Sequence, residues 1–542
     1  MVVNCESADS SALVGKRRLR LHVMFLKSSA RADQFLFLLN HKSPMIFFTP
    51  REYDRHFRGR PLMNLADFAR LFSLCRKHST LRVACSLILV FAATIASSAQ
   101  TFSLLARLGP GDGARPISLI QGPDGNFYGA AFEAGGHLGT GSIFKVTPAG
   151  VITALHVFCQ TGAPCVDGSH PNGIIFGTDG NLYGTTRSGG ARNGGSIFRI
   201  TTTGTLTTLY SFCPGNFCTD GEIPESELLQ ASDGNFYGTT NLGGGTVFKI
   251  TASGEFTSLH SFCSQSSCTD GAAPIAGLLE ARNGLLYGTT SEGGTSGANC
   301  PSVNGCGTLF KMTTSGKVTT LYSFCAQANC ADGSHPGTRL LQAADGKIYG
   351  ATSGTIFRIA TSGAVAFTTL HSFTPSEGIR IQGLIQATDG NFYGTAESGG
   401  ISNLWGTLFK MTPAGDVTVL FNFCNTSACK LSVQPSGVMQ ATNGLFYGTT
   451  LGVASGTLFT FGFPPFIKTL PTAGAVGASV IIYGNDLSGA AAVTFNGIPA
   501  NFVIVSPVEI TTSVPAGASA GKVKVTTPAG TLVSDVAFRV TN

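Results

Sequence analysis

Tryptophan occurs once in these 542 residues, at Trp405, methionine seven times, and charged residues make up only 12% of the chain. The formal charge of +6 comes from the N-terminal segment: residues 1–99 hold 15 of the 35 basic and 6 of the 29 acidic residues, which leaves 20 against 23, a net of −3, for the rest. Without a basic excess there, the chain lacks the electrostatic footprint of a nucleic-acid binder, and no nucleic-acid partner is expected. Motifs are missing too. No nucleophile elbow, phosphate-cradling glycine loop or metal-ligand pattern of recognised spacing occurs, so no catalytic residue, metal or cofactor is expected. The apolar run at 83–96 falls short of the roughly 20 residues that span a bilayer.

What the chain does have is a repeat. An aromatic or aliphatic residue followed by Tyr-Gly recurs at Tyr128, Tyr183, Tyr237, Tyr287, Tyr349, Tyr393 and Tyr447, at spacings of 55, 54, 50, 62, 44 and 54 residues. These periods are too long for a helical hairpin and suit four short strands, the unit of a propeller blade. In the third unit the strands read 227–231 (ELLQA), 235–240 (NFYGTT), 246–251 (TVFKIT) and 255–262 (EFTSLHSF). Asp-Gly or Asn-Gly separates the first two strands in every unit, at Asp124, Asp179, Asp233, Asn283, Asp345, Asp389 and Asn443, which predicts a two-residue type I′ turn. A second small-Gly turn joins strands three and four, except in the seventh unit, which lacks a fourth strand. Residues 101–108 (TFSLLARL) read like that missing strand and are predicted to close the ring. A phenylalanine at one third-strand position in each unit, from Phe144 to Phe459, reads as core between blades.

Residues 63–99 carry a basic flank, the short apolar run and Ser97-Ser98-Ala99, the pattern of a secretory signal peptide. Residues 1–62 then read as an over-extended start or a disordered segment. Cysteine usage agrees with export. Twelve of fifteen cysteines form close pairs: Cys159/Cys165, Cys213/Cys218, Cys263/Cys268, Cys300/Cys306, Cys325/Cys330 and Cys424/Cys429. Local disulfides in an oxidising compartment are expected; the competing reading, zinc, wants four ligands, and the pairs have no regular histidine partner.

The short turns share one face of the predicted disk. The loops between second and third strands, with the Cys-bearing connections, share the other and vary in length, which makes that face the candidate binding surface. Asp-Gly-x-x-Pro recurs on it at Asp112, Asp167, Asp220, Asp270 and Asp332, as a structural turn or as ligand-binding carboxylates. Two copies, Asp167 to Pro171 and Asp332 to Pro336, add His170 and His335, candidates for acid–base or ligand contact beside the bland reading of solvated loop histidines. Trp405 sits in the variable loop of the sixth unit, where it could stack on a sugar.

The unit LLQASDGNFYGTTNLGGGTVFKIT followed by FTSLHSFCSQSSCTDG resembles the choice-of-anchor tandem-repeat family called GloVer, found in exported bacterial proteins, across all seven units. The DGNFYGTT core is also similar to propeller repeats of two-component sensors, which carry Trp where this chain has Tyr. The resemblance supplies no catalytic residues. After Pro464-Pro465, the segments VIIYG, AVTFNG, VPAGASAG and KVKVTTPAG argue an Ig-like β-sandwich and resemble the IPT/TIG domain, which implies a spacer or adhesive module.

The expectation is thus an all-β chain: a signal peptide (63–99), a seven-bladed β-propeller of four-stranded blades (100–462) and an Ig-like β-sandwich (463–542). It would be secreted, periplasmic or at the cell surface, monomeric, and without a membrane anchor, since no hydrophobic sorting tail precedes Asn542. The expected function is recognition of or adhesion to a glycan, an envelope component or an extracellular protein; the alternative is an extracellular propeller enzyme acting on a polysaccharide or lactone.

Overall fold

The computed structural model describes residues 101–541 apart from short loop segments, chiefly 134–138, 296–299, 362–365, 402–404, 425–432 and 463–466. Before residue 101 it describes the backbone of three antiparallel strands, Ser7–Val14, Arg17–Phe25 and Leu36–Leu39, in a unit separate from Ser98–Asn542. The expected signal peptide lies outside the described residues.

Seven four-stranded antiparallel sheets follow in chain order, the blades of a propeller. Blade one comprises Ala114–Gln121, Phe127–Glu133, Ser142–Val146 and Ile152–Val157. The ring closes as the sequence predicts: Thr101–Arg107 pairs antiparallel with Thr457–Gly462 and becomes the fourth strand of blade seven.

The repeated motif is a set of contacts that each blade makes with itself. Tyr-Gly pairs across the second and third strands with the ladder phenylalanine, Gly129 facing Phe144 and Gly448 facing Phe459. The phenylalanine ring lies over the glycine in all seven blades, in space that a Cβ would occupy. Those rings are fully buried, each contributing about 1.5–3 kcal/mol. The tyrosine hydroxyl reaches back four residues to the turn and donates to Asp124, Asp179, Asp233, Asp345 and Asp389. In the other two blades Asn283 and Asn443 donate to it instead.

The turn itself differs from the expected type I′ form. Asp233 does not take a positive φ, whereas Gly234 does (83°), and two bonds, from Gly234 N to Ala231 O and from Ala231 N to Asn235 O, enclose a three-residue loop. This is a turn followed by one left-handed glycine. The aspartate earns its place through its side chain, which accepts from Asn235 and Tyr237 rather than adopting positive φ itself.

Glutamine at the end of the first strand joins blade to blade, except in blade two, which carries Phe176 there. Its Nε2 donates to its own turn, as Gln230 does to Gly234 O, while its Oε1 accepts the backbone N–H of the preceding blade's turn, as from Thr178. Thr442 N donating to Gln121 Oε1 carries the same link across the closure, between blades seven and one. Glu280 plays this part in blade four, accepting from Ser232.

The C-terminal sandwich buries Val480, Ile482, Phe495, Ile510, Val523, Val525 and Phe538 in one core. Its strands Ser479–Gly484, Ala492–Phe495 and Gly521–Thr527 fall where the sequence alternates. No helix among the described residues is long and apolar enough to cross a membrane.

Candidate binding face

Antiparallel order puts both short turns of each blade at one end and the second-to-third-strand loops, with the blade connections, at the other. Backbone strain divides the same way. In the short turns the positive-φ residues are glycines, such as Gly125, Gly150, Gly234 and Gly254. The non-glycine residues with positive φ in the propeller all lie, among the described residues, on the opposite face. Twelve of these sixteen form two rings, with Asn193, Cys268, Asn329 and Cys330 outside them.

The outer ring is the first cysteine of the blade connections: Cys159, Cys213, Cys263, Cys325 and Cys424 have φ of 56–63°. Disulfides join Cys159 to Cys165, Cys213 to Cys218, Cys263 to Cys268 and Cys325 to Cys330, and Cys300 to Cys306 within the long loop of blade four. Cys424 is also disulfide-bonded; Cys429 lies outside the described residues. The aspartate of Asp-Gly-x-x-Pro accepts the backbone N–H of the strained cysteine, Asp167 from Cys159, Asp220 from Cys213 and Asp270 from Cys263. A fourth-strand side chain completes each clamp. His156 Nε2 is 3.0 Å from Asp167, Tyr210 donates to Asp220 at 2.7 Å, His260 is 3.0 Å from Asp270, and Tyr322 donates to Asp332 at 2.8 Å. Asp332 is fully buried and accepts from Ala326 and Gln327 as well. Where the fourth strand carries His371, Glu377 supplies the carboxylate at 3.3 Å.

The inner ring consists of the residue before the first-strand proline or its equivalent: Arg115, His170, Ile223, Ala273, His335, Arg380 and Gln434, with φ of 51–58°. For Ile223 a left-handed conformation is a true outlier. In six of them the N–H donates to a carbonyl of the preceding blade's loop, for example His170 to Thr140, His335 to Cys306 and Gln434 to Trp405, which holds the strain in place.

Of the residues singled out in the sequence, His170 and His335 thus occupy the same rim position. His170 is half-buried beside Phe132, with Nδ1 buried and unpartnered, and burial pushes its pKa down; His335 is exposed. Trp405 is half-buried and contributes its carbonyl to the rim.

Sequence reasoning passed over the rim arginines. Arg115 pairs with Glu133, Arg187 with Glu225 at 3.1 Å and Arg380 with Glu397 at 3.8 Å, and in the channel Arg339 faces Glu227 at 3.7 Å. Aligning the units on the pre-proline residue would have put Arg115 and Arg380 in one column with the two histidines.

The model of the Gloeobacter/Verrucomicrobia repeat matches residues 89–301 and 245–461, more than half of the chain. The chain belongs to this repeat family. An IPT/TIG domain matches residues 465–540, the sandwich. No curated protein matches the chain. Among solved structures, the repeat protein is similar to virginiamycin B lyase from Staphylococcus aureus, crystallised with quinupristin, at 15% identity and a TM-score of 0.47, over 67% of this chain and 100% of that one. It is also similar to the extracellular domain assigned to a hybrid two-component system of B. thetaiotaomicron (13%, TM-score 0.46, 82% of this chain and 55% of that one). A third is PorZ, a surface component of the type-IX secretion system of Porphyromonas gingivalis (14%, TM-score 0.46, 80% and 60%).

Proposed function

We propose that this is an exported, monomeric recognition protein that binds a glycan, an envelope component or an extracellular protein through the clipped face of its propeller, with the IPT/TIG domain as spacer. The observation that carries the reading is the confinement of strained non-glycine backbone to that face. Such conformations cost on the order of 1–3 kcal/mol each, and a fold retains them where geometry serves a function. The disulfides that hold them fit an oxidising compartment.

The test is a glycan array and a pull-down from envelope fractions, followed by variants. Replacing the Cys300–Cys306 loop by a short glycine turn, or Trp405→Ala, is expected to weaken binding at least tenfold with little change in melting temperature. Losses that map instead to the short-turn face would sink the assignment.

A second reading, an extracellular enzyme, draws on the buried, unpartnered Nδ1 of His170. The rim carboxylates Glu133, Glu225 and Glu397 are each ion-paired to arginine, which favours binding over general-acid work. Turnover of a polysaccharide or lactone that is abolished by His170→Ala would reverse the preference.

A further inference from the structure

Blades three, four and five depart from the pattern at one place. Between the proline that opens the first strand and the Gln or Glu that closes it they hold one more residue, Pro224 to Gln230, Pro274 to Glu280 and Pro336 to Gln342, against Pro116 to Gln121 and Pro435 to Gln440. Regular pairing in these three first strands shrinks to Leu229–Gln230, Leu279–Glu280 and Leu341–Gln342. The neighbours Ser226, Leu228, Thr338 and Leu340 stay buried in their blades, and Glu227 and Arg339 turn into the central channel.

The channel encloses a cavity of about 410 Å³ in which Glu227 and Arg339 are the charged lining residues. Arg339 Nη1 lies 3.7 Å from Glu227 Oε2, an ion pair without a hydrogen bond, with the two side chains 41% and 39% exposed. Gly277, which holds the matching position in blade four, lies between them; a Cβ there would stand 3.6 Å from Arg339 Cδ. Gly383 and Gly437 leave the opposite wall open, with nothing within 4 Å of an added Cβ. The remaining wall combines the aliphatic Leu279, Leu341, Ile385 and Met439 with the polar Ser118, Gln342, Ser436 and Thr449. Tyr447, the aromatic lining residue among those described, is buried with its hydroxyl accepting from Asn443.

An ion pair this exposed adds at most about 1 kcal/mol to stability, which gives little structural reason to place opposite charges in the channel. A carboxylate and a guanidinium side by side, each with unused hydrogen-bonding capacity over a partly aliphatic wall, match a ligand with the opposite charges equally close together. We propose that the channel binds a small aliphatic zwitterion, an α-amino acid such as leucine or methionine. Its carboxylate meets Arg339, its ammonium meets Glu227, and its side chain lies along Leu279, Leu341, Ile385 and Met439. The balanced pair disfavours a net anion or cation, and the lack of an exposed aromatic ring in the lining disfavours a sugar.

Calorimetric titration of the full chain with L-leucine and L-methionine tests this, with N-acetylleucine, leucinamide, glycine and glucose alongside. Saturable one-to-one binding of leucine or methionine is expected. It should weaken tenfold or more when either ligand charge is blocked, when the side chain is cut back to glycine, and in Arg339→Gln or Glu227→Gln, both with unchanged melting temperature. No saturable binding at millimolar ligand, or equal affinity in both variants, overturns the proposal; glucose binding that depends on Arg339 overturns it in favour of a sugar site. None of these variants touches the clipped loops, so this site and the clipped face can fail separately.

Discussion

Three side chains in each unit act as one device. In blade three the Asp233 carboxylate accepts from Asn235 and Tyr237, Tyr237 runs through the core to reach it, and Gly238 gives its missing side chain's space to Phe248. Removing the carboxylate by Asp233→Ala strands the tyrosine hydroxyl and is expected to cost about 1–3 kcal/mol. Tyr237→Phe, which removes the donor and keeps the ring, should cost about 1 kcal/mol. Gly238→Ala drives a methyl into the Phe248 ring, and an overpacking loss of about 1–3 kcal/mol is expected. Denaturant melts of the three variants check these values; a neutral Gly238→Ala would show that the ring is free to move aside.

At the scale of strands and loops, the closing strand and the clips have different jobs. Thr101–Arg107 completes blade seven, and its Phe102 stacks on Phe421 at 4.1 Å and lies 5.4 Å from Phe459. Deleting this strand leaves Thr457–Gly462 as an open edge and withdraws part of the blade-seven core. The deletion should lower the melting temperature of the whole propeller, and a truncated chain that melts like the intact one would refute the closure's role. The clips are local, each joining residues five or six apart. A loop that short takes little entropy from the unfolded chain compared with a long one. Mass spectrometry should find the pairs linked as described. Mild reduction should release the left-handed cysteines and weaken ligand binding before the propeller melts, whereas simultaneous loss of fold and binding would contradict a purely local role.

For the molecule as a whole, the repeat multiplies small electrostatic effects. Burial opposes ionisation of Asp233, but hydrogen bonds from Asn235 and Tyr237 outweigh it and hold its pKa below the usual 3.8; Asp179 is held down in the same way by Asn181 and Tyr183. Burial and the bond to Asp179 push Tyr183 up to about 12, and Tyr128, Tyr237, Tyr349 and Tyr393 also rise above 10.0. A depressed carboxylate contributes stability above its unfolded value, and that share is lost as pH falls below 3.8. A raised tyrosine contributes below its unfolded value, and its share is lost as pH rises past 10.0. Melting temperature should therefore hold a plateau between these limits and fall on both sides, more steeply on the alkaline side in the parent than in Tyr237→Phe. Stability that stays level to pH 12 would count against the tyrosine–aspartate links.

The number of blades and their four strands were legible in the sequence because each rests on contacts within one unit; the closing segment was legible because it resembles the fourth strand of the other units, and the sandwich because its strands alternate. A turn, a Tyr-Gly pair and a phenylalanine a few residues later suffice, and seven copies repeat the signal. The turn type differs from the expected one because Asp-Gly also suits a three-residue loop that ends on a left-handed glycine, in which the aspartate side chain accepts from Asn235 and Tyr237. Nor did the repeat reveal the rim arginines or the channel pair. Glu227 and Arg339 stand two blades apart, and only closure of the ring brings them to 3.7 Å across Gly277. Local periodicity determined the scaffold, whereas the asymmetry that gives the scaffold a site lies in the departures from the repeat, which acquire chemical meaning only when the ring brings them together.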